Sequence, residues 1–331
     1  MRKIGFLVFL GALVTLALTG GGAVVAQDAT ALSAMRVEEG ATDPFSSLWA
    51  DAPALTVALI PTLQEEGIAY VAEVTLKALY NDSDLWIWAS WPDASMNHDR
   101  GAWTWDGSGW LRNPNNEDRF GLAFNITGNA QFEAAGCFGA CHIQEEPYYM
   151  GFEAGSAEML DLWHWKAART GPAGYADDQW IGAFVADAEE PTGRANDARE
   201  GGGYSDNVNE AGDGPGFVYP NGVTGGPLFA DQAVPVDPGA DFPVGYTVPG
   251  YRVSRAVGSR GDIAANAVYA RNLNGSGAWY VVLHRALDTG NPDDAAFGLD
   301  GSYGFGVTVF DNAADYHHAV NAGVLRLVIG P

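Results

Sequence analysis

Alternation with a period of two runs through most of this chain, and it commits the chain to strands. Val74, Leu76, Ala78 and Tyr80 alternate with Thr75, Lys77 and Leu79, and Asn81-Asp82-Ser83-Asp84 follows as a turn. Leu85–Trp91 is apolar on both faces, which predicts a central strand ended by Pro92 and paired with the first as a hairpin. Phe120, Leu122, Phe124 and Ile126 alternate with Gly121, Ala123 and Asn125. Trp279–Leu283, Tyr303–Val309 and Leu325–Ile329 repeat the pattern, and no long amphipathic helix stands out. Many short strands with turn signals predict an all-β, immunoglobulin-like β-sandwich. Asp161–Arg169 reads equally as a strand or as a helix stopped by Gly171-Pro172.

Residues 187–251 break the pattern. They are rich in Gly, Pro, Asp and Asn and poor in periodic apolar residues. A loop of that length inside a compact domain is unusual and often functional. Tyr204, Phe217, Tyr219, Phe229 and Tyr246 within it predict an irregular insertion packed over the sandwich, not a domain boundary. Residues 27–331 are therefore read as a single domain. Eleven Trp imply a substantial buried core or a cofactor pocket.

The first residues read as a secretory signal. Arg2 and Lys3 precede the apolar run Ile4–Leu18, and Val24-Val25-Ala26 offers cleavage before Gln27, so the signal peptide is residues 1–26. The expected location is periplasmic or extracellular, with no membrane span after cleavage. A net charge of −24 excludes nucleic acid as a natural partner and suits solubility, salt or a basic protein partner.

Cys137-Phe138-Gly139-Ala140-Cys141-His142 holds the only two cysteines. A cysteine pair running directly into Cys-His is the signature of covalent c-type haem attachment, here with one residue more than the usual spacing. On this reading Cys137 and Cys141 form thioethers to one haem c, and His142 is the proximal iron ligand. A disulfide between the two cysteines is the competing reading, although it closes a very short loop and leaves His142 unexplained. A zinc site would need further ligands.

Several blocks in order carry a family resemblance. They are Phe45–Leu59 with Trp49 and Asp51-Ala52-Pro53, then Trp91-Pro92-Asp93, Glu117-Asp118-Arg119-Phe120, the cysteine motif and Asp161–Arg169. At the C-terminal end come Gly258–Ile263, Arg285–Gly290 and Phe310-Asp311-Asn312-Ala313. Over about residues 43–331 the chain resembles the haem-binding domain family of the ethylbenzene dehydrogenase γ subunit, in its exported branch with a c-type motif. The resemblance implies a sandwich like that of family 9 carbohydrate-binding modules with haem at one edge. It also implies electron transfer without catalysis of its own, beside a molybdenum enzyme subunit or another cytochrome. In b-type relatives the resemblance implies Met and Lys as axial ligands, the second from near the C-terminus.

The equivalent stretch here contains His317 and His318, and one of them is the expected sixth ligand. His164 is the runner-up, and Met150 follows the motif closely enough to ligate. Lys166 and Arg169 suit either haem propionates or a structural salt bridge. His98 and His284 read as structural. Asp177-Asp178, Asp293-Asp294 and Glu145-Glu146 could hold calcium, though acidic pairs in turns are usually solvated. No hydrolase, zinc-protease or phosphate-loop motif is present. Two further readings stay open: a haem-free sandwich that binds carbohydrate on its Trp-rich faces, and an oxidoreductase subunit with an open sixth haem position.

Overall fold

Thirteen strands carry the architecture. They are β1 (Ala31–Arg36), β2 (Leu55–Pro61), β3 (Glu73–Tyr80), β4 (Asp84–Asp93), β5 (Arg119–Asn125), β6 (Leu160–Lys166), β7 (Asp177–Val185), β8 (Thr192–Asn196), β9 (Ala264–Arg271), β10 (Gly277–Ala286), β11 (Gly301–Phe310), β12 (Ala319–Asn321) and β13 (Leu325–Ile329). The computed structural model describes residues 30–62, 70–140, 150–185, 192–222, 225–237, 239–271, 273, 275–314 and 319–330, with 137–140 and 221 as backbone only.

Hydrogen bonding runs β8-β7-β6-β5-β11-β12-β2-β3-β4-β10-β9. β2 pairs with β12 at one end and β3 at the other, and β1 pairs in parallel with both β13 and β3. Those two strands fold the path into two layers of a sandwich. One layer holds β5–β8, β11 and β12; the other holds β3, β4, β9 and β10. The core between them is aromatic. Trp91 of β4 stacks on Phe120 of β5 at 5.6 Å, and Trp165 of β6 meets Trp279 of β10 at 5.0 Å. Each such side chain, fully buried, contributes about 1.5–3 kcal/mol through the area it removes from water.

The alternating segments are strands as the sequence predicts, and the β3–β4 hairpin turns on Asn81, whose Oδ1 accepts from the Ser83 and Asp84 amides at 2.9 and 2.8 Å. Pro92 does not end β4. It lies beyond the last pairing with β3, Thr75↔Ser90, where the strand has become an edge and a missing N–H is tolerated. Asp161–Arg169 begins as strand β6, buried at every position of Leu160–Lys166.

Three features depart from the sequence reading. Residues 192–196, expected in the insertion, form β8, because β7 supplies the pairing that their own pattern does not announce. The insertion does not simply cover the sandwich. Thr247–Val248 pairs with Trp103–Trp105, and Tyr219, Leu228 and Tyr246 close a satellite core with Trp103. A helix, Ala130–Ala140, also appears. Asn129 starts it, its Oδ1 accepting from the Phe132 amide at 2.6 Å. Gly136 breaks its geometry at φ 65°. A Cβ there would lie 1.9 Å from the Gly323 carbonyl, so the helix is drawn onto the β12–β13 turn at the point where the cysteine motif begins. Among the described residues no helix is long and apolar enough to cross a membrane.

Candidate functional site

On the face of β5–β6 and β11 turned away from the core, side chains line up across strands. One row reads Asp177, His164, Gly121, Thr308, Val320 from β7 to β12, and the next reads Gln179, Leu162, Ala123, Gly306. Because the inward positions of these strands carry Phe, Trp and Val, the outward ones are free to be small, and Gly and Ala leave a flat floor. At Gly121 the tolerance is narrow: a Cβ would meet Thr308 Cγ2 at 2.8 Å.

Over this floor lies a small, mostly apolar cavity of about 30 Å3, lined among others by Ala123, Met150, Leu162, His164, Phe310 and Val320. The helix Ala130–Ala140 packs on the same strands, β5, β11 and β12, with Phe132 buried against Leu160 and Leu162. The helix therefore brings the start of the cysteine motif to the β12–β13 turn at Gly323.

His164 is 3% exposed. Its Nδ1 lies 2.8 Å from Gln179 Oε1, and the Gln179 amide nitrogen donates to Asn196 Oδ1, so the amide oxygen accepts from an Nδ1–H. That leaves the Nε2 lone pair, which is buried and has no hydrogen-bond partner. Burial, with Lys166, Arg194 and Arg119 nearby, holds the imidazole well below its usual pKa. A neutral imidazole with a fixed tautomer and a bare nitrogen facing an apolar slot is a ligand prepared for a transition metal or a haem iron.

Cationic side chains gather at one end of the slot. Arg194 lines its rim. Arg119 packs its guanidinium over the Phe310 ring at 5.2 Å, and burial lowers its pKa to about 9. Lys166 bonds Asp177 and, at 3.2 Å, the Tyr204 hydroxyl. Arg169 bonds Glu117 at 2.5 Å and packs over Tyr204 at 4.9 Å. Lys166 and Arg169 thus both stand in buried salt bridges.

Among the predicted site residues, His164 and Met150 come together at the cavity. Cys137 lies at the end of the helix, with its backbone alone described, and Cys141, His142, His317, His318, Glu145 and Glu146 lie outside the described residues. His284 is structural as expected, stacked on Trp86 at 4.7 Å and 2.9 Å from Asp84. Sequence reasoning missed Gln179 and the small-residue floor. The signal was there in Gly121/Ala123 and Gly304/Gly306, small residues at alternate positions of two strands that turn out to be neighbours.

A family profile described as "Ethylbenzene dehydrogenase" matches residues 46–321. No curated protein matches the chain. Among solved structures, a putative carbohydrate-binding protein from Bacteroides uniformis is similar at TM-score 0.37 and 8% identity, covering 91% of this chain and 99% of that one. A family 9 carbohydrate-binding module from Caldicellulosiruptor kristjanssonii, solved with glucose, is similar at TM-score 0.36 and 8% identity, covering 90% and 95%.

Proposed function

Because the chain belongs to the ethylbenzene dehydrogenase family, we propose that it is an exported monohaem c-type cytochrome. It passes single electrons to or from a redox protein partner, a molybdenum oxidoreductase subunit or another cytochrome, and is not itself an enzyme. Cys137 and Cys141 would carry the haem and His142 would be its proximal ligand. The observation that carries the reading is His164: buried, neutral, held by Gln179 and with Nε2 unpartnered at the cavity. We assign it, in place of His317 or His318, as the second axial ligand.

A bound haem supplies a one-electron iron couple whose potential is set by its axial ligands and burial. Gln179 fixes the imidazole tautomer and raises its basicity as a ligand. Leu162, Val320 and Phe310 exclude water, which keeps reorganisation on electron transfer small. Arg194 and the buried Arg119 would offer positive charge to haem propionates. The charge of −24 presents an acidic surface to a basic docking face on the partner.

The test is expression of the full precursor in a host with c-type maturation, with a haem stain on a denaturing gel and optical and EPR spectra. Wild type should show covalent haem, low-spin and six-coordinate. His164→Ala should keep the covalent haem and turn high-spin, while His317→Ala/His318→Ala should stay low-spin. A low-spin His164→Ala sinks the ligand assignment, and loss of low spin in the double variant moves it to the C-terminal pair. A far-red charge-transfer band in ferric wild type would give the position to Met150. No haem, with Cys137 and Cys141 oxidised to each other, would overturn the cytochrome reading and leave the ligand-binding sandwich.

A further inference from the structure

On the inward face of β6 and β7, six carboxylates from five chain segments converge: Asp161, Asp178, Asp197, Asp262, Asp293 and Asp294. Arg285 of the opposite layer lies against three of them, its Nη1 at 2.9 Å from Asp161, 3.1 Å from Asp178 and 3.5 Å from Asp294. One guanidinium does not balance six carboxylates. Asp161 and Asp178 are fully buried, and Asp197 and Asp294 are 4% and 6% exposed.

Acidity alone would prove nothing in a chain this acidic. The telling observation is that the Oδ1 atoms of Asp161, Asp178, Asp197, Asp262 and Asp294 are all buried without a hydrogen-bond partner. Their Oδ2 atoms are served where a donor exists: Asp197 by Ser259 at 2.7 Å, Asp294 by Asn291 at 3.1 Å, Asp161 by the Ala295 amide at 2.9 Å. A buried carboxylate oxygen left bare costs its full desolvation, and such groups are kept only when paired or bound to a metal.

Oxygens of Asp197, Asp293 and Asp294 lie within 4.8 Å of one another. An ion about 2.4 Å from each spans that spacing. We propose that this cluster binds one calcium-like divalent cation through Asp197, Asp293 and Asp294, with the bare oxygens of Asp178 and Asp262 beside it. The donors are carboxylate oxygens with neither imidazole nor thiolate, which selects a hard cation. The irregular, crowded carboxylates suit calcium better than the smaller, strictly octahedral magnesium. Asp293 is half-buried and gives the ion a way in. The ion would tie the start of the insertion, at Asp197, and the loop after β10 to each other beside the main sheet.

The experiment uses the full mature chain. Metal content is measured after dialysis, and Tm is followed through chelation and calcium titration, for wild type and for Asp197→Asn/Asp294→Asn. One calcium per chain, a fall in Tm on chelation restored by calcium, and loss of both in the double variant are expected, with the optical spectrum unchanged. Folded wild type that retains no calcium and whose Tm ignores chelation overturns the site. So do several weakly held ions whose number is the same in the variant, which is screening of an acidic surface. Should the variant fail to fold, the metal content and chelation response of wild type decide. Either outcome leaves the haem reading to its own test.

Discussion

Asp177 and Asp178 are neighbours in sequence, both fully buried, and their fates are opposite. Asp177 faces outward with His164 and is held by Lys166 and by Arg260 at 2.8 Å, which together bring its pKa down to about 2 despite burial. Asp178 faces inward, where burial first and then repulsion by Asp161 and Asp294 push its pKa well up, with Arg285 alone attracting. On the outer face of β6–β7 the buried carboxylates are outnumbered by cations, since Glu117 is likewise matched by Arg169 and Arg119. The inner face carries an excess of carboxylate. Burial alone therefore does not decide whether an acid is tolerated; the number of cations within reach does.

The comparison breaks most severely at Arg285. Arg285→Met strands Asp161 and Asp178 without a counter-charge, and a loss of about 3–5 kcal/mol is expected in urea unfolding, enough to prevent folding in many domains. Next comes the pair of neighbours itself. Asp177→Asn leaves Lys166, 2% exposed, without its partner and should cost about 3 kcal/mol. Asp178→Asn in chelated protein removes repulsion and should be neutral or stabilising. Equal losses at the two positions would erase the distinction between the faces.

The pH response follows with opposite signs. Asp177 is depressed, so its contribution is present above the ordinary carboxylate value of 3.8 and is lost as pH falls toward about 2. Asp197 and Asp118, raised to about 7, and Asp93 and Asp262, raised to about 6, do the reverse. Their folded forms hold protons that the unfolded chain releases, so stability falls as pH rises from 3.8 through about 7. Chelated protein should lose several degrees of Tm between mildly acidic and neutral pH and collapse again in strong acid. A Tm flat over the neutral limb would contradict the excess of carboxylate. The smallest effect is at Gln179→Leu, which removes the acceptor of the His164 Nδ1–H. About 1 kcal/mol of stability is expected to go, read by urea unfolding, and on the proposed haem reading the redox potential changes with it.

Much of the sandwich was legible because an alternating strand with one face in the core announces itself. Phe120, Leu122 and Phe124 did so on β5. β6 did not, since all of Leu160–Lys166 is buried, one face in the core and the other under the cavity and the insertion, and burial on both faces erases the pattern. β8 was invisible for a related reason: its pairing comes from β7, and Thr-Gly-Arg-Ala-Asn carries no strand signal of its own. Of the site, the cysteine motif was plain and His164 was visible only as one histidine among several. Its distinction, a fixed tautomer and a bare Nε2, depends on Gln179, fifteen residues away in sequence.

The sequence by itself determined the alternating strands, their inward faces and the family, because these rest on local periodicity and on ordered blocks of residues. Which side chains share a face, and which charges find partners, was decided only by the tertiary structure. Arg285 reaches Asp161 and Asp178 across the two layers of the sandwich, from a strand more than a hundred residues away. Electrostatic balance is summed over a few ångströms of space, and the chain order does not encode that sum.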